Sequence, residues 1–241
     1  MSATSPNANS TKSYNRFNRI ISSSVFQKVT MALTGLLLIG FVIMHLSGNI
    51  TLYFPDGTPF NKYADFLASF GWLFYAAEIG LLTLFLVHIV TAIQISRLNK
   101  AARPVGYKAY QTKGGPSRAN LSSRFMIVSG ILLLAFLILH IWQFRFGPGV
   151  ADGYLVEMDG KQIRDLHRLV VETFQNPVFV VIYVFAMIML AFHLRHGFWS
   201  AFQSLGARSP NLHNILQKLA ILLAVAISLG FMGIPIWIYF R

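Results

Sequence analysis

The chain is polar for its first two dozen residues and then turns apolar in five long runs, roughly 25–52, 70–96, 124–146, 177–200 and 214–240. Each run meets the about 20 residues that a helix needs to cross the hydrocarbon of a bilayer. Helices satisfy their own backbone hydrogen bonds where lipid offers none, so the runs predict five transmembrane helices. The expected fold class is an all-α integral membrane protein, its first four helices forming a bundle. A polar tail at 1–24 precedes one membrane domain at 25–241, in which no clear internal repeat is expected.

The connections divide by character. On one side lie "YFPDGTPFNKYADFLASFG" and the longer "GPGVADGYLVEMDGKQIRDLHRLVVETFQNP". The longer one opens on Gly-Pro-Gly turn chemistry and ends at Pro177, a favourable first residue of a helix. Within it, "KQIRDLHRLVVETF" has a helical apolar period and is expected to lie along the surface. On the other side, "NKAARPVGYKAYQTKGGPSRANLSSR" is basic and rich in glycine and proline, which suits contact with a partner or lipid headgroups.

Composition narrows the class further. Of 241 residues, 55% are hydrophobic and only 12% charged, about half the charge of a soluble domain. The tail lacks the apolar core of a cleaved signal peptide, so the first run is expected to serve as the insertion signal. There is no cysteine, which excludes disulfides, thioether-linked haem and iron–sulfur clusters held by this chain. A net charge of +12 would suit nucleic acid, but its distribution points elsewhere. Arg19, Lys28, Arg97, Lys100, Arg124, Arg195 and the other basic residues of one side have no acidic residue among them. The opposite side carries Asp56, Asp65, Asp152, Glu157, Asp159, Asp165 and Glu172. A Lys/Arg bias of this kind orients the N-terminus inside and the C-terminus outside. The charge is a topology signal, with docking of a partner as a second use.

The candidate chemistry lies in the histidines. Five of seven fall in or at the ends of the runs: His45, His88, His140, His193 and His196. Helices 1 and 3 run outward and carry His45 and His140 late, toward the outer leaflet. Helices 2 and 4 run inward and carry His88 and His193 late, toward the inner leaflet. At 1.5 Å per residue each pair sits about 6–8 Å from the midplane, on opposite sides. Two imidazoles at one depth on facing helices can hold a haem iron between them, and a four-helix interior contains the porphyrin. Zinc fits less well, because its sites add carboxylate or thiolate ligands. With both axial positions filled, the work expected is electron transfer. His196 lies deeper toward the inner surface and suits a haem propionate or quinone contact, while His167 and His213 are expected in solvated loops.

With these residues in place, the chain from about 22 to 240 resembles the single-subunit, five-helix, di-haem cytochrome b anchor of succinate dehydrogenase and fumarate reductase, respiratory complex II. "MALTGLLLIGFVIMHLSGN", "FNKYADFL", "AEIGLLTLFLVHIVTAIQI", "GILLLAFLILHIWQFRFG" and "FHLRHGFWSAFQSLG" are similar to the family's successive segments. The resemblance implies two haem b groups, the outer on His45 and His140 and the inner on His88 and His193. It further implies a flavoprotein with FAD and an iron–sulfur subunit on the cytoplasmic side of a bacterial cytoplasmic membrane. Succinate is then oxidised in the flavoprotein, and electrons reach a membrane quinone, with menaquinone the expected species. A higher oligomer is compatible with this arrangement.

Other residues are weighed by depth. Glu78, an acidic residue inside a span, suits proton transfer to a quinone near the outer haem; alternatively it is an interfacial carboxylate paired with Lys62 or a backbone donor. Arg19, Ser22, Ser24, Lys28, Arg97, Arg124 and Arg195 lie near the inner haem propionates, and Arg145, Ser47 and Asn49 near the outer ones. Gly35, Gly40 and Gly130 suit close approach of a porphyrin or of a neighbouring helix. The fifth span, without histidine, is assigned to packing. Competing readings are a cytochrome b of another quinone-linked oxidoreductase and a proton-coupled secondary transporter. The latter usually shows broken helices or inverted repeats.

Overall fold

Every apolar run is a helix in the computed structural model, which describes residues 23–102, 125–207 and 209–241. In chain order the helices are α1 (Ser24–Asn49), α2 (Thr58–Ser69), α3 (Trp72–Ala101), α4 (Met126–Phe144), α5 (Leu166–Phe174), α6 (Pro177–Ser204) and α7 (Pro210–Phe240). Five of them, α1, α3, α4, α6 and α7, are long and apolar enough to cross a bilayer, so the chain is a multi-pass membrane protein. Arg19, Ser22 and Arg124, and most of the basic connection after α3, lie outside the described residues.

Helix starts follow local chemistry. Ser23 caps α1 by accepting from the Phe26 amide, and Asn176 caps α6 by accepting from Val178, with Pro177 next, as proline at N1 favours. The fifth span starts earlier than its hydrophobicity suggests, at Pro210 behind an extended Ser209. His213 therefore sits in the first turn of α7, half-buried against Trp199, not in a solvated loop.

The longer connection differs more. "KQIR" is not the start of a helix but a strand, β2 (Lys161–Arg164), paired antiparallel with β1 (Leu155–Met158). Asp159 and Gly160, both with left-handed backbone, form the two-residue turn that Asp-Gly favours. The helical period holds only from Leu166, where Asp165 caps α5 by accepting from the Arg168 amide. The first connection contains α2, which starts after Gly57 at φ 69° with Pro59 in its first turn. Among the described residues, an otherwise helical fold thus carries one small hairpin.

α2, the hairpin and α5 form a cap over one end of the bundle. Asn61 joins them, donating to Asp165 Oδ1 at 2.8 Å and accepting from the His167 amide at 2.9 Å. Lys62 pairs with Asp159 at 2.9 Å and Lys161 with Asp65 at 2.8 Å. His167 is packed on Gly57, where any Cβ would strike its ring. Burial holds its imidazole below the usual range, with Arg241 adding to the effect and Asp165 and Asp56 opposing it. It belongs to the cap and is not a solvated loop residue.

Within the membrane region α1 and α6 are the central pair. α7 lies across both, α3 flanks α1, and α4 flanks α6. Small residues at Ala220 and Ala224, almost wholly buried, let α7 approach its neighbours, the usual device where lipid removes the hydrophobic drive between helices. No comparable seam joins α3 to α4, so the bundle is loosely closed on the side away from α7. The end carrying the cap is called the hairpin end below, and the end where α1 begins is the basic end.

Two histidine pairs as the candidate functional site

α1 and α4 run toward the hairpin end, and each carries a histidine four residues before its last residue (His45 before Asn49, His140 before Phe144). Their rings meet edge to face with centroids 5.7 Å apart. α3 and α6 run the other way and bring His88 and His193 together toward the basic end, at 6.4 Å. Four histidines from four helices thus form two pairs at two depths. His196 joins neither pair: its ring lies 6.4 Å from Trp199, and its Nδ1 is buried without a partner.

What holds the rings is more specific than the pairing. Thr34 gives its hydroxyl proton to the Thr30 carbonyl at 2.8 Å, which leaves Oγ1 to accept from His88 Nδ1 at 3.1 Å. Ser129 donates to the Met126 carbonyl at 3.1 Å and faces His193 Nδ1 at 3.2 Å. Tyr183 donates to Gln143 Oε1 at 2.7 Å and faces His140 Nδ1 at 3.2 Å. In each case the proton belongs on Nδ1, and Nε2 keeps its lone pair for a metal. His45 is the exception, with the Asn49 amide 3.4 Å from its Nδ1 and committed to the His45 carbonyl at 2.7 Å.

The supporting residues expose an internal repeat. "TGLLLIGFVIMH" (34–45) and "SGILLLAFLILH" (129–140) are identical at six of twelve positions. In both, the hydroxyl residue binds a histidine of the following long helix, and the glycine beside it faces the same ring. A Cβ on Gly35 would lie 3.5 Å from His88 Cε1, and one on Gly130 would lie 3.7 Å from His193 Cε1. In both, a phenylalanine one turn before the histidine stacks on it: Phe41 on His45 at 5.4 Å and Phe136 on His140 at 5.7 Å. α1 and α4 therefore share a local repeat that run lengths alone do not show, and its unit is a histidine helix with its hydroxyl-glycine step.

The ring separations are compatible with a metal held between two imidazoles. Two metal–nitrogen bonds of about 2 Å, with about 1.2 Å from each nitrogen to its ring centre, place axial imidazole centroids about 6.4 Å apart. The basic-end pair matches that separation, and the hairpin-end pair is within 1 Å of it. Among the described residues no group of three or more His, Asp or Glu side chains converges. A metal held by either pair must draw its remaining ligands from groups other than these side chains.

The other candidates separate. Glu78 pairs not with Lys62 but with Arg145, which donates through Nε at 2.6 Å and through a terminal nitrogen at 3.0 Å. Arg145, expected beside a propionate, is thus committed to a carboxylate and also lies over the rings of Tyr75 and Phe146. This clasp joins α3 to the end of α4, the side where the helices share no seam. Glu78 also borders a hollow of about 380 Å³ lined by Leu37, Phe41, Phe74, Ala77, Leu81 and Leu84. Ser47 turns back to the Ile43 carbonyl. Ser24, Lys28, Arg97 and Arg195 are exposed at the basic end, and Gly40 faces open space.

No protein-family model, curated protein or solved structure matches the chain.

Proposed function

We propose that this chain is the membrane-anchor and electron-transfer subunit of a succinate:quinone oxidoreductase in a bacterial cytoplasmic membrane, with its basic end at the cytoplasm. The observation that carries the electron-transfer part is the two imidazole pairs at two depths, three of the four rings held with Nε2 free by a hydroxyl whose own proton is spent elsewhere. The choice of succinate rests on the resemblance of the sequence segments.

Haem b, held by His45 with His140 and by His88 with His193, would supply one-electron chemistry. The chain does the rest. Thr34, Ser129 and Tyr183 orient the ligands, since the second shell fixes ring tautomer and direction. Phe41 and Phe136 pack the hairpin-end rings, and the cap covers them: Phe174 lies 4.9 Å from Tyr183. The exposed cations at the basic end receive the iron–sulfur and flavoprotein subunits. Succinate gives up its electrons in the flavoprotein.

Quinone reduction takes up two protons with two electrons, so it needs a proton donor at the membrane boundary. Glu78 has that position, on the unsealed side between α3 and α4, beside an apolar hollow and held by Arg145. Glu78→Gln keeps a hydrogen-bond acceptor for Arg145 but removes the carboxylate that can take up a proton and pass it to the quinone. It is expected to slow quinone reduction by about 100-fold, the low end of what general acid–base groups contribute, while dye-linked succinate oxidation and haem content stay unchanged. Equal quinone reduction by the variant would remove Glu78 from the mechanism.

The direct test of the whole reading is a dithionite-reduced minus oxidised spectrum of the assembled complex, with haem quantified per chain. Two b-type haems are expected. None in a haem-supplied preparation would overturn the reading.

A further inference from the structure

The two histidine pairs are not held alike. Both rings of the basic-end pair give Nδ1–H to an aliphatic hydroxyl. At the hairpin end only His140 has such a partner, and it is a phenol. The repeat makes the difference sharper: Tyr183 lies ten residues before His193, and the residue ten before His88 is Glu78. Glu78 turns to Arg145 and leaves His45 with the Asn49 amide alone.

We propose that Tyr183, with Gln143 behind it, is a positioning residue that fixes the ligating nitrogen of His140 and sets the electron affinity of the hairpin-end site independently of the other. Tyr183 is 7% exposed and Gln143 8%, so water does not compete for their hydrogen bonds. A phenol has one proton. Because Gln143 Oε1 accepts it at 2.7 Å, the phenolic oxygen presents lone pairs to His140 Nδ1. The proton is then on Nδ1, and its donation raises electron density at Nε2, which favours an oxidised metal there. By accepting the phenol proton, Gln143 also strengthens the phenolic oxygen as an acceptor, and without it His140 Nδ1 keeps only a weaker partner.

This inference rests on the haem reading, and the two fail separately. In the assembled complex, Tyr183→Phe is expected to keep two haems per chain. The component that disappears in His140→Ala should be easier to reduce, its oxidised-to-reduced ratio at fixed potential falling about tenfold, the low end of second-shell effects on metal sites. Its low-spin electron paramagnetic resonance signal should shift, and the other component should titrate as in the wild type. Gln143→Leu, which keeps the phenol but removes its acceptor, should move the same component. If Tyr183→Phe loses a haem outright, Gln143→Leu alone decides. Variants in which neither component moves, or both move equally, overturn the proposal. Absence of haem from the wild-type complex overturns the electron-transfer reading instead.

Discussion

Replacing His193 by alanine is expected to halve the haem content of the purified complex, from two per chain to one, and His88→Ala should remove the same haem. His45→Ala and His140→Ala should each remove the other. The doubles test the pairing more sharply than the singles. A double within one pair should lose no more than either single, because the first substitution already removes one of the two histidines that would hold the group. A double across pairs should lose both haems. His196→Ala should keep two, since its ring lies against Trp199 and its Nδ1 faces no partner. Pyridine haemochromogen analysis with the reduced-minus-oxidised spectrum reads every case. Loss of a haem in His196→Ala, or haem loss independent of pairing, would contradict the geometry of α1 with α4 and α3 with α6.

The spans and the two depths of histidine are legible in the sequence because both depend on local quantities, namely run length, helical rise and position within a run. The hairpin is not, although its signal is present. A helical period from Leu166 to Phe174 continues backward by chance through Ile163 and hides the alternation of "LVEM" and "KQIR" around Asp-Gly. Second-shell partners are beyond local reading: Thr34 is 54 residues from His88, and Ser129 is 64 from His193. Glu78 and Arg145 are 67 apart, and no periodicity links them. The repeat is written in the sequence but masked by composition. Almost any two apolar runs align passably. Only superposing His45 on His140 brings Thr34 onto Ser129, Gly35 onto Gly130 and Phe41 onto Phe136.

The repeat also explains where symmetry was lost. Under it, the seam between α1 and α6 corresponds to one between α4 and α3. The first is packed and backed by α7, whereas the second has no comparable seam. Glu78 is found on the open side and Tyr183 on the closed one. A carboxylate at this position in lipid is costly unless paired or wet, so the open side with Arg145 suits Glu78. A phenol satisfied by one amide tolerates the dry interior. The divergence of one repeat position thus supplies both the candidate proton donor and the His140 support.

Glycine substitutions test whether the basic-end rings border a space for a macrocycle. A methyl group on Gly35 would make ordinary contact with His88, 3.5 Å from Cε1 and 3.9 Å from Nδ1, and one on Gly130 would lie 3.7 Å from His193 Cε1. Gly35→Ala and Gly130→Ala are therefore expected to keep both haems. Leucine at either position sends three further carbons toward the ring, and overpacking of this size costs about 1–3 kcal/mol. The ring relieves that cost by turning away from its hydroxyl, so Gly35→Leu and Gly130→Leu should each lose the basic-end haem and retain the other. Gly40 lies on α1 between these levels and has no atom within 4 Å of a built Cβ, so Gly40→Leu should retain two haems and serve as the control for bulk alone. Equal haem content in all three leucine variants would mean that His88 and His193 have room to spare. Selective loss from Gly35→Leu and Gly130→Leu, on helices of different repeats, would tie both glycines to one shared site.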